Sequence, residues 1–399
     1  MTIKNLSDLK ISGLPTAVFG PIKGLPILSG AETKAGYNSA ADLVTQTVDG
    51  FDINDLWADF AASVKIANEA RTKVIQLLTF PVTQNIERVS QVSSARFEVA
   101  SEYGEPRGIR PGTSFFNLGY DFEWYDLAAR YTWKFLAEAP ASQIEANNQM
   151  ALEADNALIF EKVMQALYAG NTNRAADING LQDVPVYGLY NNDGTVPPKY
   201  KNTTFDGTHN HYMVSGAAAI EYGDLDDLYQ NISEHGYTLQ AGYKHLLFVN
   251  PAEAKVIRTF KISGGATYDF IPAAGGFAQL LPVDQQLVGS QPAPTYQGLT
   301  VSGSYGPWLV IEDDLFPTKY VVGSATGGPE NLNNVVGLRE HANTSLRGLR
   351  LVKGPNPDYP LIDSFYQRGF GTGIRQRGAA AVMQIKASGS YVPPTSYGY

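Results

Sequence analysis

Two histidines near the middle of the chain have a spacing that suits metal ligands. His209 and His211 are separated by one residue, so in an extended segment both imidazoles would lie on one face, as a shared metal ion requires. Asp206 is close enough in sequence to be a third ligand. The segment is loop-like and lacks a secure fourth ligand, so we expect ordinary loop residues here and predict no metal site and no cofactor.

A group of acidic residues, Asp224, Asp226 and Asp227, superficially resembles a calcium-binding loop. The spaced carboxylates and the closing glutamate of an EF-hand are missing. Carboxylates in the first turn of a helix are favoured by the helix dipole. We therefore predict that these residues begin a helix over 224–235.

The remaining catalytic motifs are incomplete. Ser304 follows Ser302 and Gly303, and so lacks the leading glycine of a nucleophile elbow. The glycine pairs at 264–265, 275–276 and 327–328 are not followed by the Lys-Ser/Thr of a phosphate-binding loop. With five histidines and no cysteine, no acid–base or covalent site assembles. We predict that the protein is not an enzyme.

The charge of the chain argues against a dedicated nucleic-acid reader. The 399 residues carry a net charge of −9, whereas such readers present basic patches to the phosphates. Two basic groups stand out, namely Arg347 with Arg350 and Lys353, and Arg375 with Arg377. We expect both groups to form structural or intersubunit ion pairs rather than to bind DNA.

The absence of cysteine and of long apolar runs limits the function further. With no cysteine, neither disulfides nor thiolate metal sites can hold the protein together. No stretch approaches the ~18 apolar residues of a membrane span, so we predict no membrane association. A chain of this length ordinarily divides into two or more lobes. Cohesion must come from packing and from contacts between copies.

The elements around these residues include a long two-stranded arm. Apolar residues recur at every second position over 116–124, which predicts a strand with one apolar face. A second alternation covers 97–101. The nine residues 104–112 contain three glycines and two prolines, a composition typical of a turn at the tip of a hairpin.

The charges of this arm are balanced. Between residues 85 and 112 they are Glu87, Glu98, Glu102 and Glu105 against Arg88, Arg96, Arg107 and Arg110. The planar guanidinium can hold a carboxylate by two hydrogen bonds, so such an arm suits contact with a second copy of the chain. An ordinary solvated hairpin with weak surface ion pairs remains an alternative. The predicted contact residues are Glu102, Glu105, Arg107 and Arg110 at the tip, with Arg88, Arg96 and Glu98 as secondary contacts.

A helix of about seven turns follows the arm. Ser142 and Glu145 have the spacing of a capping box, and Gly170 supplies the stop. The pattern predicts a helix over 142–169, a rod of roughly 40 Å. Further along, we predict a helix over 252–261 and strands over 246–249, 299–301, 308–311, 320–322 and 380–385.

Several motifs resemble the major capsid proteins of tailed bacteriophages with the Hong Kong 97-type fold, particularly those of phages that infect actinobacteria. They are 56–58 (LWA), 78–83 (LTFPVT), 100–108 (ASEYGEPRG), 118–127 (LGYDFEWYDL) and 151–156 (ALEADN). The resemblance covers about 56–171 and is looser beyond.

The resemblance implies an α+β Hong Kong 97-type fold with interleaved domains. Its expected segments are an N-terminal arm (1–52), a helix leading to the peripheral domain (53–82), an extended β-hairpin loop (83–130), the peripheral domain with a long spine helix (131–185), the axial domain (186–335), and a return to the peripheral domain with a C-terminal strand (336–399).

The resemblance also implies a structural role. The expected protein self-assembles into the hexamers and pentamers of an icosahedral phage head that encloses double-stranded DNA without binding it specifically. Assembly would take place in the host cytoplasm, with portal, scaffolding and decoration proteins as partners and the virion as its final location. Two alternatives stay open, namely an encapsulin-like nanocompartment shell and a β-rich virion hydrolase or glycan-binding protein.

Some shells of this family are locked by an isopeptide bond between a lysine of the extended loop and an asparagine of a neighbouring subunit. No lysine occurs between Lys73 and Lys134 in this chain. We therefore predict that its shell relies on non-covalent contacts or on a separate cementing protein.

Overall fold

The computed structural model describes residues 44–69, 72–90, 99–100, 102, 104, 115–129, 131–170, 175–176, 184–274, 291–354 and 361–397. They fall into two compact units. The first comprises the described residues up to Glu69, Trp124–Ala157 and Asn343–Gly369. The second comprises those of Thr72–Glu123, Leu158–Ala342 and Phe370–Tyr399. Both contain helix and strand, as the predicted α+β class requires.

The described α-helices are α1 (Ile53–Glu69), α2 (Lys73–Leu78), α3 (Trp133–Glu138), α4 (Ala141–Tyr168), α5 (Tyr222–Ser233) and α6 (Pro251–Ile257). The described strands are β1 (Thr79–Val82), β2 (Ile86–Ser90), β3 (Phe115–Gly119), β4 (Glu123–Ala129), β5 (Ala175–Ala176), β6 (Val184–Pro185), β7 (Tyr212–Val214), β8 (Lys244–Val249), β9 (Phe270–Pro272), β10 (Thr295–Tyr296), β11 (Leu299–Thr300), β12 (Gly303–Tyr305), β13 (Trp308–Glu312), β14 (Tyr320–Thr326), β15 (Val336–Glu340), β16 (Arg350–Val352), β17 (Ser364–Ile374) and β18 (Ala380–Gln384). Each helix and strand predicted downstream of the arm is present, shifted by a few residues at its ends.

The first unit has its core along one face of α1. Ile53, Leu56, Phe60 and Val64 recur at intervals of three and four residues and are buried, as expected of an amphipathic helix. The first three pack in one cluster with Tyr131, Leu136 and Ile144. Val64 belongs to a second cluster, with Ala151, Leu349 and Tyr366.

The cap of α4 differs from the prediction. The helix begins at Ala141, so Ser142 already lies inside it and the predicted capping box with Glu145 does not form. Instead, the Asp49 carboxylate accepts a hydrogen bond from the Ala141 backbone N–H, at 3.1 and 3.2 Å from its two oxygens. A carboxylate at this position satisfies a free N–H and complements the helix dipole. The 28 residues of α4 give a length of about 42 Å.

A buried ion pair links α4 to β17 within the first unit. Arg368 donates from its Nη2 to Oδ2 of Asp155 at 2.7 Å, and its Nε donates to Oδ1. The two side chains are 5% and 10% exposed. The same Nη2 donates to Oδ1 of Asn68 at 3.1 Å. Because both charges are buried, removal of either side chain would leave the other charge unpaired in the core, which is strongly destabilising.

The second unit contains a seven-stranded mixed sheet in the order β7-β18-β14-β8-β13-β12-β9. Helices α5 and α6 contact it, α5 at β18 and β14 and α6 at β13 and β8. Trp308 lies in this core, 1% exposed, and its Nε1 donates to the Leu225 carbonyl of α5 at 3.0 Å. A Cβ at Gly323 would lie 2.5 Å from the Trp308 ring, so the indole, which reaches across β8, requires a glycine on strand β14.

A smaller group of strands in the second unit joins distant parts of the chain. Strand β1 pairs in parallel with β15, and β15 pairs antiparallel with the 370–374 part of β17. Asn334, which precedes β15, donates from Nδ2 to the Thr79 carbonyl at 2.9 Å and is fully buried. This amide fixes the start of β1 against the turn before β15.

The two units are each built from separate stretches of the chain, and the predicted segment boundaries stay predictions. Helix α4 and strand β17 each continue from one unit into the other, with boundaries after Ala157 and Gly369. Strand β18, which the prediction placed in the returning segment 336–399, lies in the same sheet as β8 and β13 of the predicted segment 186–335. Of the predicted N-terminal arm 1–52, residues 1–43 lie outside the described part of the chain.

Candidate functional site

The described base of the arm is a two-stranded sheet. Strands β2 and β3 are antiparallel, from Ile86 opposite Gly119 to Ser90 opposite Phe115. The partner of β3 is therefore β2 and not the predicted run 97–101, because the alternation of one strand does not specify which upstream segment pairs with it. The predicted continuous strand over 116–124 is also interrupted, since residues 120–122 separate β3 from β4.

The predicted contact residues lie mostly beyond this base. Glu105, Arg107 and Arg110 at the tip fall outside the described residues, as do Arg96 and Glu98. Glu102 and Arg88 are described and exposed, and Arg88 lies in β2. The structure therefore describes the base of the arm, and the roles of the tip residues remain predictions.

Glu87 of β2 is the anchor of this base. Its Oε1 accepts from the Nε of Arg375 at 2.8 Å, and its Oε2 accepts from the hydroxyl of Tyr120 at 2.9 Å. Glu87 and Arg375 are 25% and 32% exposed. Burial, followed by the charge of Glu87, raises the pKa of Tyr120, so its hydroxyl keeps the proton that it donates.

Tyr120 itself occupies a space left by two glycines. The side chain is fully buried, and a Cβ at Gly337 or Gly373 would lie 2.4 or 2.7 Å from its ring. Because β15 and β17 carry these glycines opposite each other, the ring can lie across both strands. The alternation of the sequence predicted that Tyr120 lies on the apolar face of a strand. It did not indicate the two glycines against which the Tyr120 ring packs.

The backbone that follows Tyr120 is fixed against β17. The Asp121 backbone N–H donates to the Thr372 carbonyl at 3.2 Å, and the Asp121 carboxylate accepts from the Thr372 N–H. Arg339 donates from Nη1 to the Tyr120 carbonyl at 2.8 Å and also donates to the side chain of Asn85. These bonds explain the interruption after β3, since the backbone of Tyr120 and Asp121 is bonded to residues of β15 and β17 instead.

The basic residues near the end of the chain are structural. Arg375 pairs with Glu87 as described, and Arg377 pairs with Asp193 at 2.6 Å while donating from Nε to the Gly188 carbonyl at 2.8 Å. Arg377 is 4% exposed. Lys353 lies over the Trp57 ring at 5.9 Å from the centroid. The prediction that Arg375 and Arg377 form structural pairs is thus confirmed.

The two histidines singled out by their spacing lie together, with a third that the sequence did not indicate. His209, His211 and His235 present their Nε2 atoms to one another at 2.8–3.1 Å. Asp206, the expected third partner, instead accepts from the backbone N–H and hydroxyl of Thr208. His235 follows α5 and is 24 residues beyond His211, so only the tertiary structure could bring it to this position.

Among the described helices, none is both long enough and apolar enough to cross a membrane.

The chain is similar to several solved structures. It shares 47% identity with a chain from Mycobacterium phage Patience, with a TM-score of 0.70 over 92% of this chain and 98% of that chain. A chain from the capsid of the native GTA particle is 12% identical, with a TM-score of 0.43 over 94% and 100% of the two chains. The holo-SrpI encapsulin complex from Synechococcus elongatus is 14% identical, with a TM-score of 0.42 over 84% and 98%. No family model and no curated protein matches the chain.

Proposed function

The chain belongs to the Hong Kong 97-type major capsid proteins of tailed bacteriophages, and we propose that its copies form the pentamers and hexamers of an icosahedral head that encloses double-stranded DNA. The family and the fold that the sequence motifs predicted are thus confirmed. As a capsid protein it is a component of the virion.

The anchored base of the arm is the observation that carries the proposal. Glu87 and Tyr120 fix the arm to β15 and β17 through Arg375 and the glycines under the Tyr120 ring. Within this base, β2 and β3 pair only with each other among the described strands, as a two-stranded sheet. An isolated two-stranded hairpin is marginally stable in water, so contact with a second surface would stabilise an arm of this kind.

We assign that second surface to the adjacent subunit. The arm carries four arginines and four glutamates between residues 85 and 112, a composition suited to charge-assisted bonds across an interface. Glu102, Glu105, Arg107 and Arg110 are the proposed tip contacts, with Arg88, Arg96 and Glu98 as secondary contacts. Each bond is weak alone, but a closed shell repeats it many times, and multivalency makes the assembly stable.

The same assignment covers the partners and the non-enzymatic role. The proposed partners are other copies of the chain, a portal protein, a scaffolding protein and a decoration protein, with assembly in the host cytoplasm. The net charge of −9 suits a wall that encloses DNA without adhering to it. We assign no catalytic activity to the chain.

Electron microscopy with sedimentation tests the proposal. The full-length chain is purified with and without a lysate of the phage that encodes it, which supplies any scaffolding protein. Closed shells, or rings of five and six subunits, are the expected result. A species that remains monomeric under both conditions would contradict the proposal.

A further inference from the structure

Three imidazoles converge on one point in the second unit. The Nε2 atoms of His209 and His211 are 3.1 Å apart, those of His209 and His235 are 2.8 Å apart, and those of His211 and His235 are 3.0 Å apart. The three nitrogens thus form a nearly equilateral triangle. Their ring centroids lie 4.8–5.0 Å apart, so the rings meet through these nitrogens.

The triangle is large enough for a metal ion bound to all three nitrogens, and an ideal tetrahedral Zn²⁺ site would need these nitrogens only about 0.4 Å further apart. Its centre lies about 1.7 Å from each nitrogen, so an ion about 1 Å above the plane would be at the ~2.0–2.1 Å expected for a Zn–N bond. Three imidazole nitrogens on one side of the ion leave a further coordination position on the other. Imidazole donors favour Zn²⁺ and its neighbours in the first transition row over Mg²⁺ or Ca²⁺.

His211 has the tautomer that metal binding needs. Its Nδ1 lies 2.6 Å from the carbonyl oxygen of Ala380, and a carbonyl can only accept, so Nδ1 must carry the proton. The neutral ring then presents the lone pair of Nε2 to the centre of the triangle. A backbone carbonyl bonded to the outer nitrogen of a histidine is the usual second-shell support of a metal ligand.

The other two rings are held by aromatic packing. His235 lies between Phe205 and Tyr190, with ring centroids at 4.4 and 5.5 Å and interplanar angles of 13° and 19°. A Cβ at Gly378 would lie 2.6 Å from the His235 ring, so this ring also depends on a glycine. Phe205 packs against His209 at 4.9 Å. The imidazoles are therefore placed before any ligand arrives, which lowers the cost of binding.

A carboxylate lies beside His209, outside the group of nitrogens that already face one another. Oε1 of Glu234, the residue that ends α5, lies 3.4 Å from Nε2 of His209. Its side chain is 24% exposed and that of His209 is 15% exposed, whereas His211 is fully buried. The site therefore opens towards solvent on the side of Glu234 and His209, where an ion could enter.

The charges around the cluster are compatible with a cation. Neutral imidazole is the form that binds metal, and the hydrogen bond from Nδ1 of His211 to the Ala380 carbonyl leaves the lone pair of its Nε2 free. Glu234 and the nearby Asp206 supply negative charge. The one cation found close by in the described residues, Arg377, has its charge offset by Asp193.

From this geometry we propose that His209, His211 and His235 bind one Zn²⁺ ion, and that the carboxylate of Glu234 turns towards this ion to become the fourth ligand. The ion would join the segment before β7 to the end of α5. His211 is already fixed to β18, since its carbonyl accepts from the Val382 N–H at 2.8 Å. In a chain without cysteine, such a site would be a structural crosslink made from histidine and carboxylate alone.

Metal titration of the full-length chain tests the proposal. The chain is treated with a chelator, dialysed and titrated with ZnCl₂ by calorimetry, and Co²⁺ is used as a spectroscopic probe of tetrahedral coordination. We expect one ion per chain, visible Co²⁺ absorption bands and a higher melting temperature with Zn²⁺. Failure to bind one equivalent of Zn²⁺ would overturn the proposal and leave a hydrogen-bonded cluster of histidines.

Substitutions identify the ligands. His209→Gln and His235→Gln change partly exposed residues, and circular dichroism checks that each variant folds. Since loss of an outer-shell partner alone costs about 10–100-fold in affinity, loss of a direct ligand is expected to cost more. His341→Gln, which changes a histidine outside the cluster, is the matched control and should retain wild-type affinity. Equal affinity in folded His209→Gln, His235→Gln and the control would also refute the site.

Discussion

Arg375 donates a hydrogen bond from Nε to Oε1 of Glu87 at 2.8 Å, and this bond fixes the end of β17 to the second residue of β2. The other oxygen of Glu87 accepts a hydrogen bond from the hydroxyl of Tyr120. One carboxylate therefore holds both strands of the arm base, since β2 carries Glu87 and the residue after β3 is Tyr120. The arm leaves the second unit in a defined direction because of these bonds.

Arg375→Ala should impair assembly more than it impairs folding. Both partners are a quarter to a third exposed, so the pair contributes about 0.2–1 kcal/mol to the free energy of unfolding. The yield of closed particles should fall further than this small loss predicts, because the direction of every arm in the shell changes. Arg258→Ala, which removes the exposed pair with Glu312, is the control. A loss of particles no larger than in the control would contradict the anchoring role.

Arg107→Ala or Glu105→Ala should reduce assembly and leave the unfolding free energy of the subunit unchanged. We expect the tip of a hairpin to contribute little to the core of its own subunit, so these substitutions should act on the contact between copies. Particle yield by sedimentation and urea unfolding of the unassembled chain separate the two effects. Lys261→Ala, at an exposed position outside the arm, serves as the control, and an equal loss of stability in the tip variants would show that they act through folding.

Arg368→Ala should destabilise the subunit by about 3–5 kcal/mol, the usual effect of leaving a buried charge unpaired. The uncompensated group is Asp155, which is 10% exposed in its pair. Urea denaturation of the unassembled chain measures the change. Arg368→Ala combined with Asp155→Ala should recover part of the loss because no charge is then left buried, and a double variant less stable than the single one would argue against this explanation.

Gly337→Ala should destabilise the protein by roughly 1–3 kcal/mol, as overpacking does in a filled core. Its Cβ would lie 2.4 Å from the Tyr120 ring and 3.0 Å from Val82. Gly223→Ala is the matched control, since a Cβ there meets nothing within 4 Å and alanine is the better helix former in α5. The control should be neutral or slightly stabilising. Thermal unfolding of both variants tests this, and similar melting temperatures would mean that the strands move apart at little cost.

Mature particles should run as a single monomer band on a denaturing gel. No lysine occurs between Lys73 and Lys134, so the arm cannot supply the amine of an isopeptide crosslink. Mass spectrometry of the band should give the mass of an uncrosslinked chain. A ladder of covalent multimers that survives boiling and reductant would contradict the non-covalent shell.

Local patterns were enough to predict β3, α4 and five of the fourteen described strands that follow α4. The alternation over 116–124 and the glycine that ends α4 are signals within a short stretch of sequence. Contacts between distant residues were not predictable in this way. Asp49 caps α4 from 92 residues away, β2 replaced the expected partner of β3, and His235 reached the histidine pair through α5. Each of these depends on how the chain packs, which spacing along the sequence does not encode.

The short motifs indicated the protein family, which the periodicity of the sequence could not indicate. The runs 100–108 and 118–127 indicated a family and hence a fold, whereas the residues alone left an ordinary solvated hairpin open as an alternative. No motif indicated the proposed metal site. His209 and His211 had the correct spacing for ligands, but the missing partners, His235 and Glu234, follow α5 and carried no recognisable motif.

Cryo-electron microscopy of the assembled particle tests the central claim most directly. The account predicts a closed icosahedral shell of pentamers and hexamers in which residues 91–114 lie across an adjacent subunit and Glu105 and Arg107 contact it. A closed shell in which this segment folds back on its own subunit would contradict the role of the arm. Particles without pentamers and hexamers would contradict the assembly itself.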